Sequence, residues 1–340
     1  MLLGLGLGFD SNVQYLPRTG DLFGTERQAF GAGGDAYATA VVALGGTFAP
    51  TRRYDLALDY AFFQLAYQQP AYDLFAIQEH ALSLTQNVHF GRRVTLSLPA
   101  LVEVSFSGLR ETYELFQVTG GLYPELSYRW AGLTRTRVQV GWSRRRVVDE
   151  ALPFLDGQRQ EITLTQSVTW ANWLLNLRLR YRRDLLGVRV QPGAFAASDC
   201  DACNDVSNIT PYSHDGRSVS LLLLSPFGKR VRFSASATYE ERPFLLPNRV
   251  RGETEQGNRQ TLRSWRRFDR RLFLAPTLAV GLWDKLSLVA RYTYSQNVSN
   301  VDGTRTAACE DLEVVCHPLD LQDRNYRKHA ASLDLEYSWM

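Results

Sequence analysis

The sequence predicts an all-β protein, a transmembrane antiparallel β-barrel of 14 strands, and three observations carry that expectation. Apolar residues recur at every second position rather than every third and fourth, which gives a strand one oily and one polar face. The alternating segments are mostly 13 to 16 residues long, beyond the usual globular strand of ~5–6 and enough for the ~9–11 that cross a bilayer. The links between them alternate between tight and long, as hairpins do when they open in turn on two rims.

In chain order the segments are 2–10, 35–49, 53–67, 75–90, 93–107, 115–130, 133–147, 158–171, 172–186, 216–225, 229–242, 266–281, 284–298 and 326–340. The first alternates Gly4, Gly6 and Gly8 with leucines; no helix follows, so these glycines read as small lumen-facing positions rather than a phosphate loop. In the fifth, Val94, Leu96, Leu98, Ala100, Val102, Val104 and Phe106 oppose Thr95, Ser97, Glu103 and Ser105. In the sixth, Phe116, Val118, Leu122, Leu126, Tyr128 and Trp130 oppose Gln117, Thr119, Glu125, Ser127 and Arg129. The ninth is the sharpest: Trp173, Leu175, Leu177, Leu179 and Tyr181 face one way, Asn176, Arg178, Arg180 and Arg182 the other. In the last, Leu333, Leu335, Tyr337 and Trp339 face lipid while Ser332, Asp334, Glu336 and Ser338 face water, as a closing strand requires.

Tight links fall at Pro50–Arg53, Gly91–Arg93, Ala131-Gly132, Ala171-Asn172, Pro226–Gly228 and Trp283-Asp284. Longer ones span 11–34, 68–74, 108–114, 148–157, 187–215, 243–265 and 299–325. This arrangement predicts short periplasmic turns, long extracellular loops and both termini on the periplasmic rim of a bacterial outer membrane. Aromatic girdles are expected from Phe48, Tyr54, Phe90, Trp130, Trp142, Trp170, Trp173, Tyr181 and Tyr292.

Composition narrows the function classes. The longest aliphatic run is Leu221–Leu224, so no helix spans a membrane, and 45% hydrophobic residues exclude a disordered chain. With 38 Lys+Arg against 35 Asp+Glu, a net charge of +3 argues against a nucleic-acid partner. All but Lys229, Lys285 and Lys328 of the cations are arginines, which keep their charge in a crowded, wet interior. The residues 1–340 read as a single barrel domain; Met1 opens without a basic region or cleavage site, so a signal or upstream periplasmic domain is expected to have preceded it.

Three local patterns are Gly6-Leu-Gly8-Phe-Asp10-Ser-Asn-Val13, Tyr292-Thr-Tyr294-Ser-Gln-Asn297-Val-Ser-Asn300 and Tyr326-Arg-Lys-His329. Together with the strand count they resemble the C-terminal barrel of surface lipoprotein assembly modifiers and related outer-membrane barrels that follow tetratricopeptide repeats. The resemblance covers the first strand and the last three. It implies a translocon moving lipoproteins or other polymers with a periplasmic helical-repeat partner, although no 34-residue helical period occurs in this chain.

Alternation places Arg135, Arg137, Arg178, Arg180, Arg182, Arg271 and Arg291 on the lumen side, with Arg129, Arg145, Arg159 and Arg232. Glu103, Glu125, Asp334 and Glu336, with Asp55 and Asp59, are the acidic counterparts, and Glu161, Glu240 and Asp269 lie among the arginines. Two readings stay open: opposed walls of unlike charge that favour anionic or zwitterionic passengers, or ion pairs that brace the barrel. Cys200, Cys203, Cys309 and Cys316 sit in outer loops and are disulfide candidates, with Cys200–Cys203 and Cys309–Cys316 the first of three pairings. Cys200, Cys203 and His214 also have a zinc-ligand spacing, but no second pair follows and no metal or cofactor is expected. None of His80, His89, His214, His317 and His329 stands in a catalytic motif, so no enzyme is expected. The remaining functions are export pore, passive porin and structural anchor of an envelope complex, with the outer-membrane bilayer as partner and periplasmic tetratricopeptide or other envelope proteins as further candidates; a porin would conduct alone.

Overall fold

The computed structural model describes residues 1–12, 34–108, 114–130, 134–148, 156–186, 213–226, 230–253, 259–300, 315–316 and 326–339. Its strands are β1 (Leu2–Asp10), β2 (Asp35–Thr51), β3 (Tyr54–Tyr67), β4 (Ile77–Phe90), β5 (Val94–Ser107), β6 (Glu114–Leu122), β7 (Glu125–Arg129) and β8 (Thr134–Val147). They continue as β9 (Gly157–Trp170), β10 (Trp173–Leu186), β11 (His214–Pro226), β12 (Val231–Glu253), β13 (Arg259–Gly281), β14 (Leu286–Ser299), β15 (Val315–Cys316) and β16 (Tyr326–Ser338). One 3-10 turn, Pro70–Phe75, leads into β4.

Each strand pairs antiparallel with its neighbours, and β1 pairs with β16, so the sheet closes on itself as fourteen staves. β6 and β7 form one stave, interrupted where Pro124 has no N–H to donate; both halves pair with β5 and β8. β15 is not a stave: its two residues pair with Gly252 and Glu253 at the far end of β12.

Closure rests on a nine-residue seam from Leu2↔Ser338 to Asp10↔Ala330. The seam continues past both ends, since the Met1 ammonium donates to Trp339 O at 2.8 Å and Ser11 N to His329 O at 2.8 Å. The three glycines of β1 make room on the inner side. A Cβ at Gly6 would fall 1.8 Å from Asp334 Oδ1, and one at Gly8 would fall 2.4 Å from Tyr37 Cζ. Tyr37 of β2 thereby lies across Gly8, its hydroxyl 3.5 Å from Ala331 O of β16, bridging over the seam strand.

The two faces differ as the alternation requires. Leu5, Leu7 and Trp170 are 68, 71 and 76% exposed on the outside, whereas inward Ser105 and Thr165 are 2 and 4% exposed. An apolar belt running round a whole sheet is far larger than any patch a water-soluble monomer shows, so the outer wall is built for hydrocarbon. Phe48, Tyr54, Phe90, Trp130, Trp170 and Trp173 all face outward at the rim of tight turns, and Trp142, Tyr181 and Tyr292 face outward higher up.

The turn Ala171-Asn172 joins β9 to β10 with φ of 46° and 71°, the left-handed pair that a two-residue hairpin needs. One expected loop is corrected: 243–265 is mostly sheet, because β12 and β13 run on as a 23-residue hairpin beyond the other staves. Pro243 and Pro247 conceal that continuation in the sequence; they mark a register shift that lets the ladder resume. Most of the expected loops 11–34, 187–215 and 299–325 lies outside the described residues.

Filling the seam tests this packing. Gly6→Val is expected to lower stability against urea in detergent by about 1–3 kcal/mol, the usual penalty of overpacking. Gly120→Ala, where an added Cβ meets nothing within 4 Å, should leave the unfolding midpoint unchanged.

Candidate functional site: the charged inner wall

Paired residues of neighbouring strands share a face, so the register fixes which charges line the barrel. On β1 to β6 the inward carboxylates are Asp10, Asp35, Asp55, Asp59, Glu79, Glu103 and Glu114, and among the described residues no inward Lys or Arg accompanies them. On β7 to β14 the inward arginines are Arg129, Arg135, Arg137, Arg145, Arg159, Arg178, Arg180, Arg182, Arg232, Arg242, Arg267, Arg271 and Arg291. Among the described residues their inward carboxylates are Glu125, Glu161, Asp184, Glu240 and Asp269. In a ring of fourteen, staves seven apart face each other, so the acidic β3, β4 and β5 stand across from β11, β12 and β13, of which β12 and β13 carry the inward Arg232, Arg242, Arg267 and Arg271.

Within the arginine half the side chains divide into two groups. The first is a buried network on β9 to β12. Arg182 lies 3.1 Å from Asp184 and 3.0 Å from Glu240, Arg159 lies 2.6 Å from Asp184, and Arg242 lies 2.6 Å from Glu240. Arg180 reaches Glu240 only at 3.9 Å, and His214 Nε2 approaches Asp184 at 3.2 Å. Gly216 leaves space for this: a Cβ there would fall 2.9 Å from Arg182 Cγ. Above the network Arg267 pairs with Asp269, and its guanidinium covers the Phe244 ring at 4.2 Å.

The second group holds arginines without an ion pair among the described residues. Arg178 is exposed to the lumen one row below Arg180. Arg135 donates to Ser127 Oγ at 2.9 Å, Arg137 stands beside Ser127 and Thr165 in the ladder, and Arg271 donates to Asn297 Oδ1 at 3.0 Å. Neutral partners leave these cations their full field.

At the seam the pattern changes again. Arg291 grips Asp334 and Glu336 together, and Ser332 donates to Asp334 at 2.9 Å. Near the opposite rim Lys328 lies 2.6 Å from Asp10, which also accepts from Tyr67 Oη at 3.1 Å. The expected lumen residues fall into two sets. Arg180, Arg182, Arg291, Asp334 and Glu336 are in pairs or networks that brace the wall, while Arg135, Arg137, Arg178, Arg271, Glu103 and Glu125 line it with no ion pair among the described residues.

Sequence reasoning missed three members of the buried network. Asp184 follows Arg178, Arg180 and Arg182 in strict alternation and was legible by parity; His214 and Arg242 sit at strand ends that the turn signals had placed in or beside loops. Of the cysteines, Cys200, Cys203 and Cys309 lie outside the described residues, and Cys316 is described only by its backbone in β15.

No family model matches the chain, and no curated protein matches it by sequence. Solved structures of similar architecture include an anion-selective porin from Comamonas acidovorans, 8% identical over 100% of this chain and 99% of that one, with a TM-score of 0.46. A bacterial polysaccharide outer-membrane secretin is 7% identical over 99% of this chain and 98% of that one, TM-score 0.43. CdiB from Acinetobacter baumannii is 9% identical over 99% of this chain, which spans 60% of that protein, TM-score 0.47.

The network makes a stability prediction. Glu240→Gln removes the carboxylate that serves Arg182 and Arg242 and leaves buried positive charge under-compensated, so unfolding in urea should come earlier by about 3–5 kcal/mol. Arg178→Gln, which breaks no pair among the described residues, should unfold as the wild type does.

Proposed function

We propose that the protein is a bacterial outer-membrane pore for small anionic or zwitterionic solutes. The observation that carries this reading is the segregation of charge on the inner wall: among the described residues, carboxylates without Lys or Arg on β1 to β6, and an excess of arginines on the staves opposite. A water-filled bore between such walls has a transverse field. A solute with both charges orients in it, and an anion finds on the arginine side a low-resistance track. Arg135, Arg137, Arg178 and Arg271 supply that track, because none of them is in an ion pair among the described residues. The braced Arg182–Asp184–Glu240 network holds the wall from which they project.

A second reading is an export pore that passes a polymer from a periplasmic partner, a tetratricopeptide or other envelope protein. It is supported by the resemblance of the first and last strands and by the cations at the tight turns, Arg52, Arg53, Arg92 and Arg93, which would face the periplasm and offer a basic rim. An export barrel works with its partner bound, whereas a porin conducts alone.

Planar-bilayer recording of the purified protein separates the two. A porin gives stable single-channel steps without any partner, with anions favoured over cations. Neutralising Arg135, Arg137 and Arg178 together should reduce anion preference several-fold, and Asp59→Asn with Glu103→Gln should increase it. Silent membranes, or a selectivity indifferent to both sets, would contradict the porin reading; silence relieved by a co-purifying periplasmic protein would favour export.

A further inference from the structure

The outer wall carries a cationic patch that the inner-wall reading does not use. Arg144 and Arg146 on β8, Arg183 on β10, Arg217 on β11 and Arg270 on β13 all point away from the lumen and are exposed. Their height is uniform: Arg144 stands ten residues above Thr134, Arg183 ten above Trp173, and Arg217 nine above Pro226. Ten residues at ~3.3 Å each, tilted by ~40°, climb about 25 Å, which is the height of the apolar band of such barrels. These arginines therefore sit at the interface on the long-loop side. At the same height β1 to β5 present Phe9, Phe62, His80 and Gln78 outward, with no charge among the described residues. Apart from Arg327 on β16, the outward cations described at this height lie on β8 to β13.

Two carboxylates only partly answer them. Asp215 takes Arg183 at 2.8 Å, and Glu241 lies between Arg217 and Arg270 in one row of the ladder, where it also accepts from Tyr239. Arg144 and Arg146 have no ion pair among the described residues; their ladder neighbours on β9 and β6 are Gln158, Gly120 and Val118. Directly below them the wall opens into an apolar groove of about 380 Å3, lined by Leu98, Pro99, Leu122, Pro124, Val140 and Trp142. It forms where the stave breaks at Tyr123-Pro124. Trp142 and Arg144 alternate on the same outward face, so a cationic head site and a hydrocarbon slot are stacked along one strand.

We propose that this part of the outer wall binds a phosphorylated acyl lipid of the outer leaflet, its phosphate on Arg144 and Arg146 and one acyl chain in the groove beneath. The charge complementarity is specific to an anionic head, since guanidinium forks match phosphate oxygens, and the groove offers no polar group that would suit a protein side chain. Arg183, one row lower on β10 beside Gln160, is held by both oxygens of Asp215 and lies outside the head site. The site is independent of what the lumen conducts.

Native mass spectrometry of the detergent-purified barrel, titrated with bis-phosphorylated lipid A, reads the binding directly. The expected result is a saturable one-to-one complex that the phosphate-free acylated disaccharide does not form, and that inorganic phosphate alone does not replace. Arg144→Gln with Arg146→Gln should weaken it about tenfold or more, the loss of charge-assisted hydrogen bonds to phosphate. Leu122→Trp, which fills the groove without touching a charge, should weaken it as well, and Arg52→Gln with Arg53→Gln on the other rim should not. Each variant is first checked for the heat-dependent gel shift of a folded barrel; any that fails is replaced by Arg144→Lys, which keeps charge but loses the fork and is expected to bind less tightly. Equal binding of the phosphate-free lipid, wild-type affinity in the folded arginine variant, or no complex with either lipid would overturn the proposal.

Discussion

A polypeptide in hydrocarbon has no solvent to satisfy its backbone, so every N–H and C=O in the wall must find another strand, and the first strand must meet the last. That single requirement organises the protein. It explains why β1 pairs residue by residue with β16, why the staves number an even fourteen, and why the chain enters and leaves at the rim of tight turns. At the seam Tyr37, Thr39 and Asp334 come together over Gly6 and Gly8 of β1, where an added Cβ would clash with them.

Once the outside must be apolar, everything chemical is pushed inward or to the rims. The inner wall then takes a burden of charge that water alone screens. Part of it is organised into networks around Asp184, Glu240 and Asp334, and part, such as Arg135 and Arg271, has neutral hydrogen-bond partners. The division has a physical logic. A guanidinium nearly out of contact with water, such as Arg182, needs two carboxylates; one that reaches the open lumen, such as Arg178, is hydrated and needs none. The networks confer shape, and the hydrated arginines confer field.

Much of this was legible in the sequence because a strand in a bilayer has to alternate, and alternation is the strongest local signal a chain carries. The ninth segment gave the inward set Arg178, Arg180 and Arg182 by parity alone, and the pairing with Thr165, Thr163 and Glu161 agrees. The closing strand was readable for the same reason. What failed to show was anything set by irregular backbone or by contact across strands. Pro243 and Pro247 looked like loop residues, yet β12 and β13 pass through them on a register shift. Tyr123-Pro124 looked like part of a continuous strand, yet the break there opens the outer groove. Pairing partners such as Glu240 for Arg182, 58 positions apart in the chain, depend on stave order, which no local pattern encodes.

The claim on which all of this rests is that successive residues of one stave face water and hydrocarbon in strict turn. Spin labels placed singly from Trp173 to Arg182 in β10, with the protein in bilayers, measure it by collision rates with oxygen and with a water-soluble nickel complex. The account predicts oxygen maxima at 175, 177 and 179 and nickel maxima at 176, 178 and 180, two out-of-phase waves of period two. A single smooth profile, or a period near 3.6, would contradict it.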